Sequence, residues 1–290
     1  MKPPIALRLL AGAALFLASL CATAKPALWV AKDADTTIYL FGTVHLLPND
    51  TDWHNDTLDR AVADSQTLYI ELTDDDPANM MALVLRYGMD AAHPLTSQLD
   101  AAEQLRLSTA ATKAGVPGGM QALNMMRPWL AALTLTTAPL LKAGLDPEHG
   151  VDKQLQARMA AAGKTVLGLE TAEQQMRFLA DMPHAVQLDF LRSAMRDVDK
   201  GVAQLDEVID AWKNGDVAAI ARLEDEDMRQ TAPELYQRLL VARNQAWATK
   251  IAAMLQQPGT IFIAVGAAHL AGPDSVQAQL NKQGIETPRL

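Results

Sequence analysis

The sequence contains 290 residues, of which 49% are hydrophobic and 20% are charged, and its formal net charge is −9. This length suits one large α/β domain. The negative charge argues against nucleic acid or anionic lipid as the main partner, because both require clustered Lys and Arg. Cys21 is the single cysteine, so the chain has no internal disulfide.

The first 24 residues have the three parts of a secretory signal peptide. Lys2 and Arg8 supply the charged start, LLAGAALFLASL supplies the apolar middle, and Ala24 ends a cleavage site of small residues. A lipoprotein signal centred on Cys21 fits less well, because Leu20 stands where a small residue is required. We predict cleavage after Ala24, a periplasmic or secreted location, and a single domain over 25–290. No later apolar run reaches the roughly 18 residues of a membrane-spanning helix.

Four short segments predict β-strands by their apolar, β-branched or aromatic content: 37–43, 67–72, 165–170 and 260–266. None alternates cleanly between apolar and polar residues, which indicates strands that are buried on both faces. The predicted fold is therefore α/β, with a mixed, mostly buried β-sheet covered by helices.

The segments between the strands carry helix signals. Asp76 and Pro77 predict an N-cap and a first helical residue, and Gly88 predicts the end of that helix. An apolar stripe predicts another helix from about 232 to 257. The gap between the second and third predicted strands is too long for a single crossover helix. We therefore predict a helical insertion there, a subdomain at about 74–163 that covers one end of the sheet.

An ionisable side chain ends or closely follows each predicted strand: His45, Glu71, Glu170 and His269. In open α/β sheets, ligands bind beyond the carboxyl ends of the strands, where side chains from several loops converge. If the strands are roughly parallel, these four side chains collect at one edge of the sheet. Two imidazoles and two carboxylates suit a metal site or a general acid/base site.

The two histidines belong to a repeated Gly-x-x-His pattern. FGTVHLLPND (41–50) and VGAAHLAGPD (265–274) share Gly, His, Leu and Asp at matched positions. We expect the glycine of each motif, Gly42 in the first, to allow a sharp turn that presents the histidine. A single histidine beside an apolar strand is more often structural, but the repetition at two strand ends favours a shared site. Glu170 fits a site or the start of the following helix equally well.

Other candidate residues are supported by weaker patterns. Arg127 and Arg243 lie near aromatic residues, which suits either a buried ion pair or a clamp for a substrate carboxylate. His149 and Asp152 either reach the site or simply begin a helix. The motifs of serine hydrolases, nucleotide-binding proteins and zincins are missing: there is no G-x-S-x-G, G-x-x-x-x-G-K-[ST], G-x-G-x-x-G after the first strand, or H-E-x-x-H.

Taken together, these segments resemble the TraB/GumN family, which also includes the Tiki-type metalloproteases of animal cells. The resemblance covers nearly all of the chain after the signal peptide. It is carried by YLFGTVHLLP, LYIEL, MRPWLAAL, LDPEHGVDKQL, GKTVLGLETAEQQ, LYQRLLVARNQAWATKI and FIAVGAAHLAGPDSV. The two Gly-x-x-His motifs with a glutamate between them are its distinguishing feature.

The resemblance implies a mixed α/β fold related to the haem-binding ChaN-like and the erythromycin-esterase-like (EreA) proteins. It also implies a manganese- or cobalt-dependent site that contains His45, Glu71 and His269. Our leading hypothesis is an exported metal-dependent hydrolase that cleaves peptide bonds. Its substrate would be a peptide or another small molecule. His45, His269 and a glutamate would hold Mn²⁺, Co²⁺ or Zn²⁺.

In this hypothesis Glu71 or Glu170 is the anionic ligand and the other glutamate is the general base. Arg243 or Arg127 would stabilise the developing oxyanion or hold a substrate carboxylate. The alternative is a non-catalytic periplasmic protein that uses the same histidines to bind haem, a metal or a peptide signal.

Overall fold

The computed structural model describes residues 25–48 and 51–290, except for the side chain of Asp227. The predicted signal peptide, its cleavage site after Ala24 and the matched Asp50 of the first Gly-x-x-His segment lie outside the described residues. Export therefore stays a prediction. No helix in the described part of the chain is both long and apolar enough to cross a membrane.

A mixed β-sheet forms the centre of the fold. Its strands in the described chain are β1 (Leu28–Lys32), β2 (Thr36–Thr43), β3 (Thr67–Ile70), β4 (Thr165–Gly168) and β5 (Gly259–Gly266). Their order across the sheet is β1-β2-β5-β3-β4. The β1–β2 pair is antiparallel and the other three pairs are parallel. The predicted α/β class with a mixed sheet is confirmed, although β1 has no counterpart among the predicted strands.

Helices make up most of the remaining described chain. The α-helices are α1 (Asp56–Asp64), α2 (Pro77–Tyr87), α3 (Ala101–Ala114), α4 (Gly119–Asn124), α5 (Pro128–Lys142), α6 (Val151–Ala161), α7 (Ala172–Ala180), α8 (His184–Asp197), α9 (Gly201–Lys213), α10 (Val217–Ile220), α11 (Asp227–Thr231), α12 (Pro233–Tyr236), α13 (Ala242–Met254) and α14 (Val276–Asn281). Short 3₁₀ turns occupy Leu95–Gln98, Pro147–His149 and Ala267–Leu270, and π-helical segments occupy Ala221–Glu226 and Gln237–Val241.

Helices cover both faces of the central strands β2 and β5, as the continuous apolar runs predicted, whereas β4 at the edge of the sheet has no buried residue. On one face, Phe41 and Phe262 pack against Trp212 of α9. On the other face, Leu40 and Ile263 share a core with Trp247 of α13. Neighbouring residues of one strand thus bury opposite faces, which is why these strands do not alternate between apolar and polar residues.

The helices α2 to α6 lie between β3 and β4 in the chain, in the region of the predicted insertion. The Asp76 side chain caps α2 by accepting hydrogen bonds from backbone N–H groups, and Gly88 follows the last helical residue. A separate apolar core joins Leu107 of α3 and Leu135 of α5 to Leu191 of α8. Because α8 follows β4, this helical layer extends beyond the segment 74–163.

The helix predicted from about 232 to 257 is interrupted. The chain forms α12, the π-helical segment Gln237–Val241 and then α13. An apolar stripe does not reveal the one extra residue per turn of a π segment, because the stripe continues across it. The interruption precedes Arg243, and π segments recur at functional sites.

Candidate active site

The topology of the sheet brings the predicted side chains together. β5 lies between β2 and β3, so the carboxyl ends of these parallel strands are neighbours. The Nε2 atom of His45 lies 3.8 Å from Oε1 of Glu71. The Nε2 atom of His269 lies 4.0 Å from the same oxygen. Glu170, beyond β4, is joined to this group through Arg243.

The two motif glycines provide space rather than a turn, which corrects our expectation. Neither Gly42 nor Gly266 has a positive φ, and both lie within strands. A Cβ atom on Gly42 would lie 3.1 Å from Cα of Ala267, so this glycine lets the two motifs pack closely. A Cβ atom on Gly266 would lie 3.2 Å from Oε1 of Glu71 and 3.4 Å from Nε2 of His45. Gly266 therefore leaves an opening between the functional groups.

Asp152 orients His45. The backbone N–H of Val151 bonds to the carbonyl of Val44 at 3.0 Å, which docks the start of α6 beside the first motif. The Nδ1 atom of His45 then lies 3.0 Å from Oδ1 of Asp152. A proton on Nδ1 donates to this carboxylate and leaves Nε2 facing Glu71. Asp152 was expected either to reach the site or simply to begin a helix, and the structure shows that it contacts the site. His149 instead pairs with Asp146, with 3.6 Å between Nδ1 and Oδ2.

The surroundings of His45 favour its protonated form. The side chain of His45 is 55% exposed, but the protein atoms that surround it in the cleft partly desolvate the ring. This desolvation by itself lowers the pKa of His45. The hydrogen bond to Asp152 and the negative charge of Glu71 outweigh this effect and raise the pKa to about 9. Without a cation, His45 is therefore positively charged at neutral pH, and a ligand that uses its Nε2 lone pair must displace a proton.

His269 has the opposite character. Its Nδ1 lies 2.6 Å from Oδ1 of Asn244, and its ring packs against Trp247 with centroids 4.4 Å apart. Burial, together with the charge of Arg243, lowers the pKa of His269 to about 3 in spite of the Glu71 carboxylate. The neutral ring donates from Nδ1 to Asn244, and its Nε2 accepts from Nη1 of Arg243 at 3.1 Å.

Arg243 clamps the two glutamates. Its Nη2 donates to Glu71 at 2.6 Å and to Glu170 at 2.8 Å, and its Nε donates to both oxygens of Glu170 at 3.1 Å. Gln175 donates to the same two carboxylates at 3.0 and 3.2 Å. Burial favours the neutral form of Glu71, but Arg243, the two histidines and the N–H of Gly266 hold the pKa of Glu71 well below its usual range. Glu71 is therefore an anion in the folded protein.

Arg127 lies elsewhere. It lines a separate cavity of about 390 Å³ with Asp90, His93 and His184. Neither cavity beside His45 has Arg127 in its lining. The structure therefore brings together His45, Glu71, Glu170, Arg243 and His269 and leaves Arg127 apart.

Two cavities meet at His45 and Glu71. One, of about 280 Å³, also contains Arg243 and His269 and has apolar walls from Leu205 and Val208. The other, of about 260 Å³, is lined by both polar and apolar residues, including Asp152, Lys153 and Leu72. A chain-like ligand that occupied both cavities would cross the imidazole of His45.

Sequence reasoning missed two residues here. Gln175 follows Glu170 by five positions, which brings it back beside the strand end on the first turn of α7. Glu224 lines the larger cavity, and the π-helical segment that carries it has no signal in the sequence pattern.

The histidine nitrogens and the carboxylate oxygen are donor atoms that suit a divalent cation. The distances between them are close to the largest that two ligands of one cation can have. Two ligands that are each about 2.1 Å from a cation are at most about 4.2 Å apart. The distances of 3.8 and 4.0 Å from Glu71 to the histidines fall just below this limit. As the side chains stand, no three His, Cys, Asp or Glu residues of the described ranges are arranged to hold a metal ion. Binding requires a small contraction around Gly266 and the release of His269 from Arg243.

The fold and this arrangement define an α/β protein with a paired Gly-x-x-His site at its strand ends. The model of the TraB/PrgY/gumN family matches residues 27–289, so the chain belongs to that family. Its relatives include the uncharacterized protein YbaP of Escherichia coli (strain K12) and of Shigella flexneri. Each is 32% identical over 168 residues, which cover 52% of this chain and 55% of the relative. The chain thus spans about half the length of the curated relatives it matches. No solved structure matches the chain.

Proposed function

We propose that this protein is an exported, metal-dependent hydrolase that cleaves peptide bonds. The observation that carries the proposal is the convergence of His45 Nε2, Glu71 Oε1 and His269 Nε2 around Gly266, with both histidines within 4.0 Å of one carboxylate oxygen. Two imidazoles and one carboxylate are ligands that Mn²⁺, Co²⁺ and Zn²⁺ accept.

The shape of the cleft supports an extended substrate. Cavities of about 280 and 260 Å³ both border His45 and Glu71, and each is lined by polar and apolar side chains. A peptide that occupied both cavities would place one side chain in each, and the chain between them would lie beside His45 and Glu71. Peptides therefore suit this cleft better than compact ligands, which would fill one cavity and leave the other open.

The residues around the ligands set their protonation and orientation. Asp152 holds the His45 proton on Nδ1, and Asn244 does the same for His269, so both Nε2 atoms face the site. Arg243 keeps Glu71 ionised and fixes its orientation. When bound, a divalent cation would activate water by lowering its pKa and would polarise the scissile carbonyl.

Glu170 has a setting that differs from the one expected of a general base. Both of its oxygens accept hydrogen bonds from Arg243, and its side chain is only 7% exposed. Its contacts therefore support a role in holding Arg243 in place.

The test combines cation binding with cleavage. The purified protein is stripped of metal, titrated with Mn²⁺ or Co²⁺ by calorimetry, and incubated with a broad peptide library with and without each cation. We expect binding and cation-dependent cleavage in the wild type, and loss of both in His45→Ala and Glu71→Ala. His54→Ala is the matched control, because His54 pairs with Asp59 away from the cleft.

Two results would contradict the proposal in different ways. Unchanged cation affinity in His45→Ala would remove the assigned ligand. A wild type that binds the cation but cleaves nothing across the library would instead support a non-catalytic protein that binds a metal or a peptide.

A further inference from the structure

A third glutamate faces the candidate active site. Glu224 lines the 280 Å³ cavity together with His45, Glu71, Arg243 and His269. The apolar side chains of Leu205 and Val208 form part of the same cavity wall. Glu224 therefore borders the same cavity in which a substrate peptide bond beside Glu71 would lie.

The π-helical segment Ala221–Glu226 determines this position. Two consecutive acidic residues of this segment are turned from solvent: Glu224 is partly buried, and Asp225 is only 4% exposed. Oδ2 of Asp225 is in contact with Gly272, where a Cβ atom would lie 2.9 Å from it. The segment is thus packed against the loop that follows His269, which couples the position of Glu224 to the second Gly-x-x-His motif.

The other carboxylates of the site are already engaged. Glu71 accepts from Gly266, Gln175 and Arg243. Glu170 accepts from Arg243 and Gln175, and Asp152 binds His45. In contrast, no residue of the described chain forms a hydrogen bond or an ion pair with the Glu224 carboxyl.

The electrostatic surroundings of Glu224 suit proton exchange. Burial raises the pKa of its carboxyl above the ordinary value, and the nearby His45 opposes this effect. A carboxylate with a raised pKa is a stronger base than an ordinary one, which favours its taking a proton from a neighbouring group.

From this placement we propose that Glu224 is the proton shuttle of the hydrolysis, an assignment that rests on the proposed function. The attacking water forms a C–O bond to the scissile carbonyl carbon and passes one proton to Glu224. As the C–N bond breaks, Glu224 returns that proton to the leaving nitrogen. The products are a carboxylic acid and an amine, and the glutamate ends unchanged.

The test compares Glu224→Gln with the wild type on a peptide that the wild type cleaves and on 4-nitrophenyl acetate. Glutamine keeps the shape of the side chain but cannot carry the proton. We expect kcat for the peptide to fall about 10²- to 10⁴-fold with KM unchanged. The ester should lose less activity, because its leaving group departs without a proton. Mn²⁺ affinity by calorimetry and the thermal midpoint should stay at the wild-type values.

Glu226→Gln is the matched control. Glu226 belongs to the same π-helical segment but is exposed, and among the described residues its carboxyl forms a hydrogen bond only with Gln230, so kcat should not change. A wild type that cleaves peptides together with an equally active Glu224→Gln variant would overturn the shuttle and leave the hydrolase standing. Loss of Mn²⁺ binding in Glu224→Gln would overturn it in favour of a ligand role. A wild type that cleaves no peptide would overturn both proposals.

Discussion

Arg243 is the cation on which the buried carboxylates of the site depend, so its removal should destabilise the fold. Its side chain is 10% exposed, and those of Glu71 and Glu170 are 13% and 7% exposed. The guanidinium also donates to the carbonyl of Leu239 at 3.2 Å and lies over the Trp247 ring at 4.7 Å. Arg243→Met keeps most of the packing volume and removes every one of these hydrogen bonds.

The expected loss follows from the burial of the pair. Breaking a buried ion pair by removing one partner costs about 3–5 kcal/mol, because the other charge stays buried without compensation. Gln175 and the Gly266 N–H still donate to Glu71, whereas Glu170 keeps only Gln175 as a donor within the described chain. Glu170 is therefore the group that suffers most. A second change, Glu170→Gln, should recover part of the loss in the Arg243→Met background.

Urea unfolding followed by circular dichroism, on metal-free protein at pH 7, measures this loss. The control is Arg238→Met, since Arg238 pairs with Glu234 at the surface and exposed pairs contribute about 0–1 kcal/mol. A loss below about 1 kcal/mol for Arg243→Met would mean that its ion pairs contribute no more than exposed ones. That result would refute the expected cost of leaving the buried carboxylates without Arg243. Equal stability of the single and double variants would also refute it, because Glu170 would then not be the uncompensated charge.

Three further predictions concern the same edge of the sheet. Gly266→Ala should fold but bind Mn²⁺ at least about tenfold more weakly in calorimetry, a change of about 1.4 kcal/mol, since the new Cβ would lie 3.2 Å from Oε1 of Glu71. Asp152→Asn should lower the pKa of His45 from about 9, measured by NMR titration of metal-free protein. Asp225→Asn should flatten the pH dependence of stability. Burial, together with neighbouring acids, raises the folded-state pKa of Asp225 to about 8, against about 3.9 in an unfolded chain, so wild-type stability should fall as pH rises through this window.

Each of these predictions has its own control or contrary outcome. Gly201→Ala should leave the Mn²⁺ affinity unchanged, because the nearest atoms would be 3.9 Å from the new Cβ and belong to Leu140 and Thr136, outside the site. Equal Mn²⁺ affinity in Gly266→Ala would show that the opening is not needed. An unchanged pKa of His45 in Asp152→Asn would remove the assigned cause. If Asp225→Asn lost stability between pH 4 and pH 8 as steeply as the wild type, a group other than Asp225 would cause the pH dependence.

Local patterns in the sequence were sufficient for much of the fold and for the outline of the site. Asp76, Pro77 and Gly88 predicted the bounds of α2, because capping is decided within a few residues. The four predicted strands all appear. Three of them contain buried apolar residues, whereas β4 has no buried residue and was marked by the β-branched Thr165 and Val166. Strand β1 was missed, since a short edge strand that contains a lysine has only a weak apolar pattern.

Tertiary structure decided how the strand ends combine. The Gly-x-x-His repeat and the glutamates could be read from the chain, but β5 lies between β2 and β3 only because of pairings between residues far apart in sequence. Those pairings bring His45 and His269 within 4.0 Å of one oxygen of Glu71. The role of Gly266 as an opening, the clamp by Arg243 and the exposure of Glu224 to the cleft also depend on contacts between separate elements. Periodicity reports which face of an element is buried, whereas distances between side chains of different elements are set only when the elements pack.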